Sequence, residues 1–193
     1  MMYVIEPHAD DAFLSLHGHI QGWVKSGRQV TIVTVLGAGK RDKEAEAYAL
    51  HVGASWEGFG LSEGGSSTDA PSPDLVAAVR KAARRLASRL DGSEDTLVLP
   101  ISIRHTEHLM VRDAFVAVAP TTPTQYYLDQ PYSSIMKNGP AVQAQLRGTT
   151  IASYLKPNAR KYGCVRFFKS QGKFWFYNPP ESMKGNIEMV VEN

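Results

Sequence analysis

An open, mostly parallel α/β sheet flanked by helices is the fold class that this 193-residue sequence predicts, on three observations. Short β-branched apolar runs alternate with helix-length amphipathic segments from Met2 to Ala119. Those runs are nearly continuous rather than alternating, as strands covered on both faces require. Polar clusters follow two of the runs directly, at the strand ends where such sheets bind their ligands. The pattern is Rossmann-like.

Taken in order, Met2 to Ile5 forms an apolar run that Pro7 is expected to stop, and His8 to Asp11 follow it. Ala12 to Lys25 places Phe13, Leu16, Ile20, Trp23 and Val24 near helical spacing, with Ser26-Gly27 as the stop. Val30 to Val35 is a second strand, so the opening is a strand–helix–strand unit, normally parallel and right-handed. Gly37-Ala38-Gly39-Lys40 lacks the full phosphate-loop pattern and reads as a turn before a helix over Arg41 to Val52. A short strand is expected over Trp56 to Phe59, then an exposed loop from Leu61 to Pro73. Asp74 to Leu90 is the clearest helix, its Arg80, Lys81, Arg84, Arg85 and Arg89 forming a solvated face. Thr96 to Leu99 is another strand, followed by a loop carrying His105 to His108 and a helix from Leu109 to Ala119. Beyond Pro120 the pattern degrades, with strands expected at Gln125 to Leu128 and Val165 to Phe168.

Composition narrows the class. With 43% hydrophobic and 21% charged residues the chain suits one globular domain over residues 1–193, less assignable after Pro120. The single cysteine, Cys164, excludes an internal disulfide and favours a reducing, cytoplasmic compartment. No leader opens the sequence, and no stretch approaches the roughly 18 apolar residues of a membrane span. A formal charge of +2 gives no ground for a nucleic-acid partner.

Pro7-His8-Ala9-Asp10-Asp11 packs an imidazole and two carboxylates behind a buried strand. Adjacent side chains cannot point the same way, so the two aspartates can divide the tasks of metal ligand and free base. His105-Thr106-Glu107-His108 follows a second strand and can reach the same mouth. An Asp pair after a strand is often only a helix cap, and a lone His-x-x-His fits any helix. Two such clusters after separate strands favour a metal site, and zinc accepts imidazole and carboxylate ligands while keeping a position for water.

These pieces resemble, in order, the zinc de-N-acetylases of the PIG-L or LmbE-like family. Pro7-His8-Ala9-Asp10-Asp11-Ala12 corresponds to a family stretch His-Pro-Asp-Asp-Glu, and Arg41 with Glu44 to an Arg-x-x-Glu pair. Gly60-Leu61-Ser62-Glu63-Gly64 is similar to Gly-Leu-x-Asp-Gly, and His105-Thr106-Glu107-His108 to His-Pro-Asp-His. The resemblance implies zinc, or another divalent metal, on His8, Asp11 and His108. It makes Asp10 the general base and His105, if protonated, the electrophilic partner, with Glu107 orienting His105. Arg41 and Glu63 become substrate contacts. The reaction implied is hydrolysis of an N-acyl, typically N-acetyl, amide on a small-molecule sugar or glycoconjugate. Alternatives are a metal hydrolase acting on a modified nucleotide or other amide, and a carbohydrate-binding descendant without turnover. Ala12 stands where the family carries an acid, a loss expected to weaken support for the metal.

Other polar residues receive plainer readings. His17, His19 and His51 are expected to be structural or exposed. Tyr126, Tyr127 and Tyr132 either line a sugar pocket or close the domain. Lys161, Arg166, Lys169 and Lys173 interleave with Tyr162, Phe167, Phe168, Phe174, Trp175 and Phe176, a mixture able to meet a phosphorylated or nucleic-acid ligand. A hairpin with solvent-facing cations is the favoured reading there.

Overall fold

The computed structural model describes residues 1–64, 69–102, 105–130, 150–155, 164–171 and 188–192. Its elements run β1 (Met2–His8), α1 (Asp11–Lys25), β2 (Val30–Leu36), α2 (Lys40–Val52), β3 (Ser55–Leu61) and α3 (Pro73–Ala87). β4 (Thr96–Pro100), α4 (Thr106–Val118), β5 (Thr124–Tyr127), β6 (Thr150–Leu155) and β7 (Glu188–Glu192) complete them. The strands form one seven-stranded sheet in the order β3-β2-β1-β4-β5-β7-β6. β1 to β5 pair in parallel, while β7 runs antiparallel to both β5 and β6. Chain direction across the sheet reverses between β1 and β4, so the ligand crevice of such a sheet opens there.

Side-chain alternation along the strands divides the core in two. Val4, Ile32 and Val98 face Phe13, Leu16, Ile20, Tyr48 and Ala49 of α1 and α2. Ile5, Val33, Val35, Leu97 and Leu99 face Val79, Ala83, Leu86, Val111 and Phe115 of α3 and α4. Both sheet faces are therefore covered, which accounts for the continuous apolar runs. The cations of α3 are exposed, as expected of its outer face, and Ser72 caps the helix by accepting the Leu75 N–H at 3.2 Å.

Several boundaries differ from the sequence expectation: α3 closes at Ala87 rather than Leu90, and β3 runs Ser55–Leu61, beyond Trp56 to Phe59 at both ends. β1 continues through Pro7 to His8, because its pairing with β4 ends at Val4 and a proline removes no ladder bond on an unpaired side. α4 begins at Thr106 rather than Leu109, so Glu107 and His108 sit in its first turn with His105 as the N-cap residue. Cys164–Phe167 is a 3₁₀ turn, not a strand. Cys164 and Phe168, four residues apart, both bury, and Phe168 stacks on Phe13 at 5.0 Å. That spacing is helical, and packing beneath α1 and α2 overrides the β-branched and aromatic local preference.

β7 is tied to α1. Glu188 accepts the Gly18 N–H at 2.7 Å, and a Cβ on Gly18 would lie 3.2 Å from that carboxylate oxygen. His17 and His19 are buried on the same helix, bonded to the Tyr48 hydroxyl at 3.1 Å and the Ser153 hydroxyl at 2.9 Å. Their role is structural, and His51 is exposed. Among the described residues no helix is long and apolar enough to cross a membrane.

Candidate metal centre

The loops and helix starts after five parallel strands converge on one site. His8 closes β1, Asp10 and Asp11 open α1, and Arg41 lies in the first turn of α2. Glu63 follows β3, His105 to His108 begin α4, and Asp129 follows β5. Gly37 keeps the loop before α2 close to the sheet, since a Cβ there would meet both Asp42 and Thr34 at 2.7 Å.

Three ligand-type atoms form a compact triangle. His8 Nδ1 lies 3.1 Å from His108 Nε2 and 3.5 Å from Asp11 Oδ2, and His108 Nε2 lies 3.3 Å from that same oxygen. Ligands about 2.0 to 2.1 Å from a tetrahedral ion stand about 3.3 Å apart, so the triangle has the size of one coordination face. His105 is adjacent, with one nitrogen from each of His8, His105 and His108 falling within 4.8 Å of the others. The set containing Asp11 is the tighter one.

Hydrogen bonds on the far side of each ring decide what faces the triangle. His8 Nε2 is 2.7 Å from Glu107 Oε2, and His108 Nδ1 is 2.9 Å from Asp129 Oδ2. Each carboxylate takes the imidazole N–H on its side, leaving His8 Nδ1 and His108 Nε2 turned inward beside the Asp11 oxygen. In the metal-free chain a proton on His8 Nδ1, whose imidazole pKa is raised to about 10, is shared with His108 Nε2 and Asp11; a cation that displaces it meets three donor atoms. The donor set therefore fits a divalent metal, in the carboxylate–histidine arrangement that fixes ring orientation at metal sites.

The ionisation of these groups reflects the same field. Burial pulls the His8 imidazole down, but Asp11 and Glu107 outweigh it and raise its pKa to about 10. Burial works against the charge on Asp11 too, yet His108 and His8 hold it down at about 2. Carboxylates that hold the imidazole proton so firmly while staying ionised themselves offer the same attraction to a metal. His105 behaves oppositely, lowered to about 4 by burial and by the neighbouring His108 and His8. A neutral His105 still has one N–H to donate.

Asp10 is the N-cap residue of α1 but makes no side-chain cap bond. Its Oδ1 instead accepts from Arg41 Nη2 at 3.0 Å, and Arg41 Nη1 donates to Glu63 Oε1. Desolvation and the adjacent Asp11 raise the Asp10 pKa while Arg41 opposes them. Arg41 and Glu63 accordingly share the mouth with Asp10, and Glu63 is exposed there.

Two carboxylates support the imidazoles from behind. Glu107 holds His8 and the Gly64 N–H, at 2.7 and 2.5 Å, where it was expected to orient His105. Asp129, wholly buried, was not singled out; the available signal was an acid just past a strand end, the rule that identified His8. The missing acid at Ala12 has a local counterpart in buried Glu6, whose Oε2 accepts the Ala12 N–H at 3.0 Å and whose Oε1 accepts from Thr34 at 2.6 Å. Tyr127 is fully buried with its hydroxyl on the Ile5 carbonyl at 3.1 Å, so it closes the core rather than lining a pocket. Tyr132, Lys161, Tyr162, Lys173, Phe174, Trp175 and Phe176 lie outside the described residues.

No family model and no curated protein matches the sequence. Solved structures do. The zinc-inhibited form of teicoplanin deacetylase Orf2 superposes with a TM-score of 0.74 at 18% identity, covering 99% of this chain and 96% of its own. The N,N'-diacetylchitobiose deacetylase of Pyrococcus horikoshii matches with a TM-score of 0.60 at 14% identity, over 94% of this chain and 74% of its own. GalB of Pseudomonas putida, a 4-carboxy-2-hydroxymuconate hydratase, matches with a TM-score of 0.53 at 15% identity, over 94% and 82%. At these identities the likeness establishes architecture: this chain is built on the same mostly parallel α/β frame as the two deacetylases and the hydratase.

Proposed function

We propose that this chain is a metal-dependent N-deacetylase of the PIG-L or LmbE-like family, acting on an N-acetylated sugar or glycoconjugate. The observation that carries this is the triangle of His8 Nδ1, Asp11 Oδ2 and His108 Nε2, its sides 3.1, 3.3 and 3.5 Å, with Asp10 beside it and outside the ligand set. The deacetylase neighbours on the same fold support the reaction class, and zinc is the first choice of metal on donor chemistry. A bound divalent metal would supply Lewis acidity toward an amide carbonyl and lower the pKa of water. The protein's own groups do the rest. Asp10, raised in pKa and free of capping duty, accepts a proton from the attacking water and returns one to the departing amine. Neutral His105 donates an N–H toward the carbonyl oxygen as charge develops. Arg41 orients Asp10 and, with Glu63, presents polar groups to the substrate. Retention of a carboxylate that caps nothing disfavours a binder without turnover. The buried thiol of Cys164 supports a cytoplasmic location.

The test pairs metal analysis of the purified protein with acetate and free-amine release from a panel of N-acetylated sugars. Expected is one divalent ion per chain, and turnover that chelation removes and metal restores. Metal-loaded protein that releases no amine from the panel would sink the reading. Asp129→Asn gives a sharper expectation: its remaining oxygen still accepts the Ser102 N–H, but the carboxylate behind His108 is gone. Metal affinity should fall about 10- to 100-fold, as removal of such outer partners commonly causes. Competition with a chromogenic chelator measures it.

A further inference from the structure

Aspartate is among the strongest N-cap residues, yet Asp10 at the N-cap of α1 makes no side-chain bond to its own helix. A capping side chain ordinarily takes the N–H of the second or third helical residue. In α1 the second residue is Ala12, and its N–H goes instead to Glu6 Oε2 of β1, at 3.0 Å. The start of α3 shows the ordinary arrangement, with Ser72 capping the helix it precedes.

Glu6 is held for this contact from three strands. It shares the face of β1 that carries Val4, beneath α1 and α2, and is 1% exposed. In the sheet it pairs with Thr34 of β2, whose hydroxyl donates to Glu6 Oε1 at 2.6 Å. The Thr34 oxygen accepts from Trp56 Nε1 of β3 at 2.8 Å. An indole N–H only donates, so Thr34 accepts on that side and its own proton is left for Glu6. The edge strand, its neighbour and β1 thus aim one carboxylate at the start of α1. A buried carboxylate is costly unless its oxygens are bonded, and here each oxygen has a donor. With the Ala12 N–H already taken, Asp10 turns to α2, where its Oδ1 accepts from Arg41 Nη2 at 3.0 Å.

We propose that Glu6 is a positioning residue for the base: it caps α1 in place of Asp10 and so keeps the Asp10 carboxylate on Arg41 at the mouth of the metal centre. The chemical use of Asp10 rests on the deacetylase reading; the capping does not. The test compares metal-loaded Glu6→Leu and Glu6→Gln with wild type. Leucine offers no acceptor, so Asp10 should fold back onto the Ala12 N–H and leave Arg41. Glutamine can turn its carbonyl to that N–H and its amide to Thr34, whose hydroxyl can reverse where a backbone N–H cannot. Expected is a fall in kcat of about 5- to 10-fold in Glu6→Leu, the population shift that one cap bond commands, with KM and metal content unchanged. Glu6→Gln should restore kcat. Equal kcat in the two variants overturns the proposal and leaves the deacetylase reading standing. The crystal structure of Glu6→Leu is the arm that needs no substrate. Asp10 bonded to the Ala12 N–H there supports the proposal even if wild type deacetylates nothing, the outcome that sinks only the deacetylase reading. Asp10 still on Arg41 overturns it. Should Glu6→Leu not fold, amide hydrogen exchange in Asp10→Ala decides. Ala12 N–H protection equal to that of wild type supports Glu6 as the cap, and its loss overturns it.

Discussion

Asp10→Asn should retain the metal and lose turnover by about 10² to 10⁴, the usual contribution of a positioned proton acceptor. The substitution is nearly isosteric, and an amide oxygen can still accept from Arg41, as Asp10 Oδ1 does at 3.0 Å. It removes no cap, because Asp10 makes no side-chain bond to the α1 backbone. The fold should therefore be unaffected, and the deficit should lie in kcat rather than in metal content. Elemental analysis beside steady-state kinetics separates the two. A metal-loaded Asp10→Asn enzyme of full activity would refute the role of Asp10 as base while leaving the metal assignment intact.

His108→Ala should lose both metal and activity. It deletes one corner of the triangle, leaving His8 Nδ1 and Asp11 Oδ2, 3.5 Å apart, to hold an ion between them. A catalytic site built on three protein ligands tolerates that poorly. It also leaves one oxygen of the wholly buried Asp129 on the Ser102 N–H and the other facing the vacated imidazole volume. The folded state should weaken by about 1 to 3 kcal/mol, the cost of an unsatisfied buried polar group. Thermal unfolding of the metal-stripped proteins measures that part without the metal's own contribution. Wild-type metal content in this variant would show that His108 is not a ligand.

Within the parallel half, β1, β2 and β4 were legible because each is a largely apolar, β-branched run followed by a helix, whereas β3, Ser55–Leu61, has no β-branched residue and is only half-buried at the sheet edge. Covering both faces of the sheet writes that pattern locally. The second half is held by pairings remote in sequence: Gln125 with Glu192, Tyr126 with Val191. Nothing in a short segment such as Glu188 to Glu192 announces its partner, and neither β6 nor β7 was anticipated. The start of α4 was concealed for another reason. Its first turn carries Glu107 and His108 inward, so polar residues fill positions where apolar ones would mark a helix face. The ligand candidates were legible because their motif stands at strand ends. Asp129 and Glu6 were not, since each acts through a neighbour: Asp129 on the far nitrogen of His108, Glu6 on the Ala12 N–H.

Ser102 is the one non-glycine residue among those described with a left-handed backbone, at φ 59. Its N–H meets Asp129 Oδ1 at 3.0 Å and its hydroxyl meets the His105 carbonyl at 3.0 Å. A protein engineer scanning for thermostability would choose glycine at this position, because glycine tolerates that conformation without the roughly 1 kcal/mol or more that a side chain incurs. The gain would come just after β4, beside the residue that caps the helix bearing the proposed ligand His108. Freed of the hydroxyl that anchors His105, the segment would acquire freedom where the chemistry needs a fixed aim. Improvement by melting temperature and improvement by turnover would then pull this position in opposite directions, and directed evolution under the two selections should diverge at residue 102.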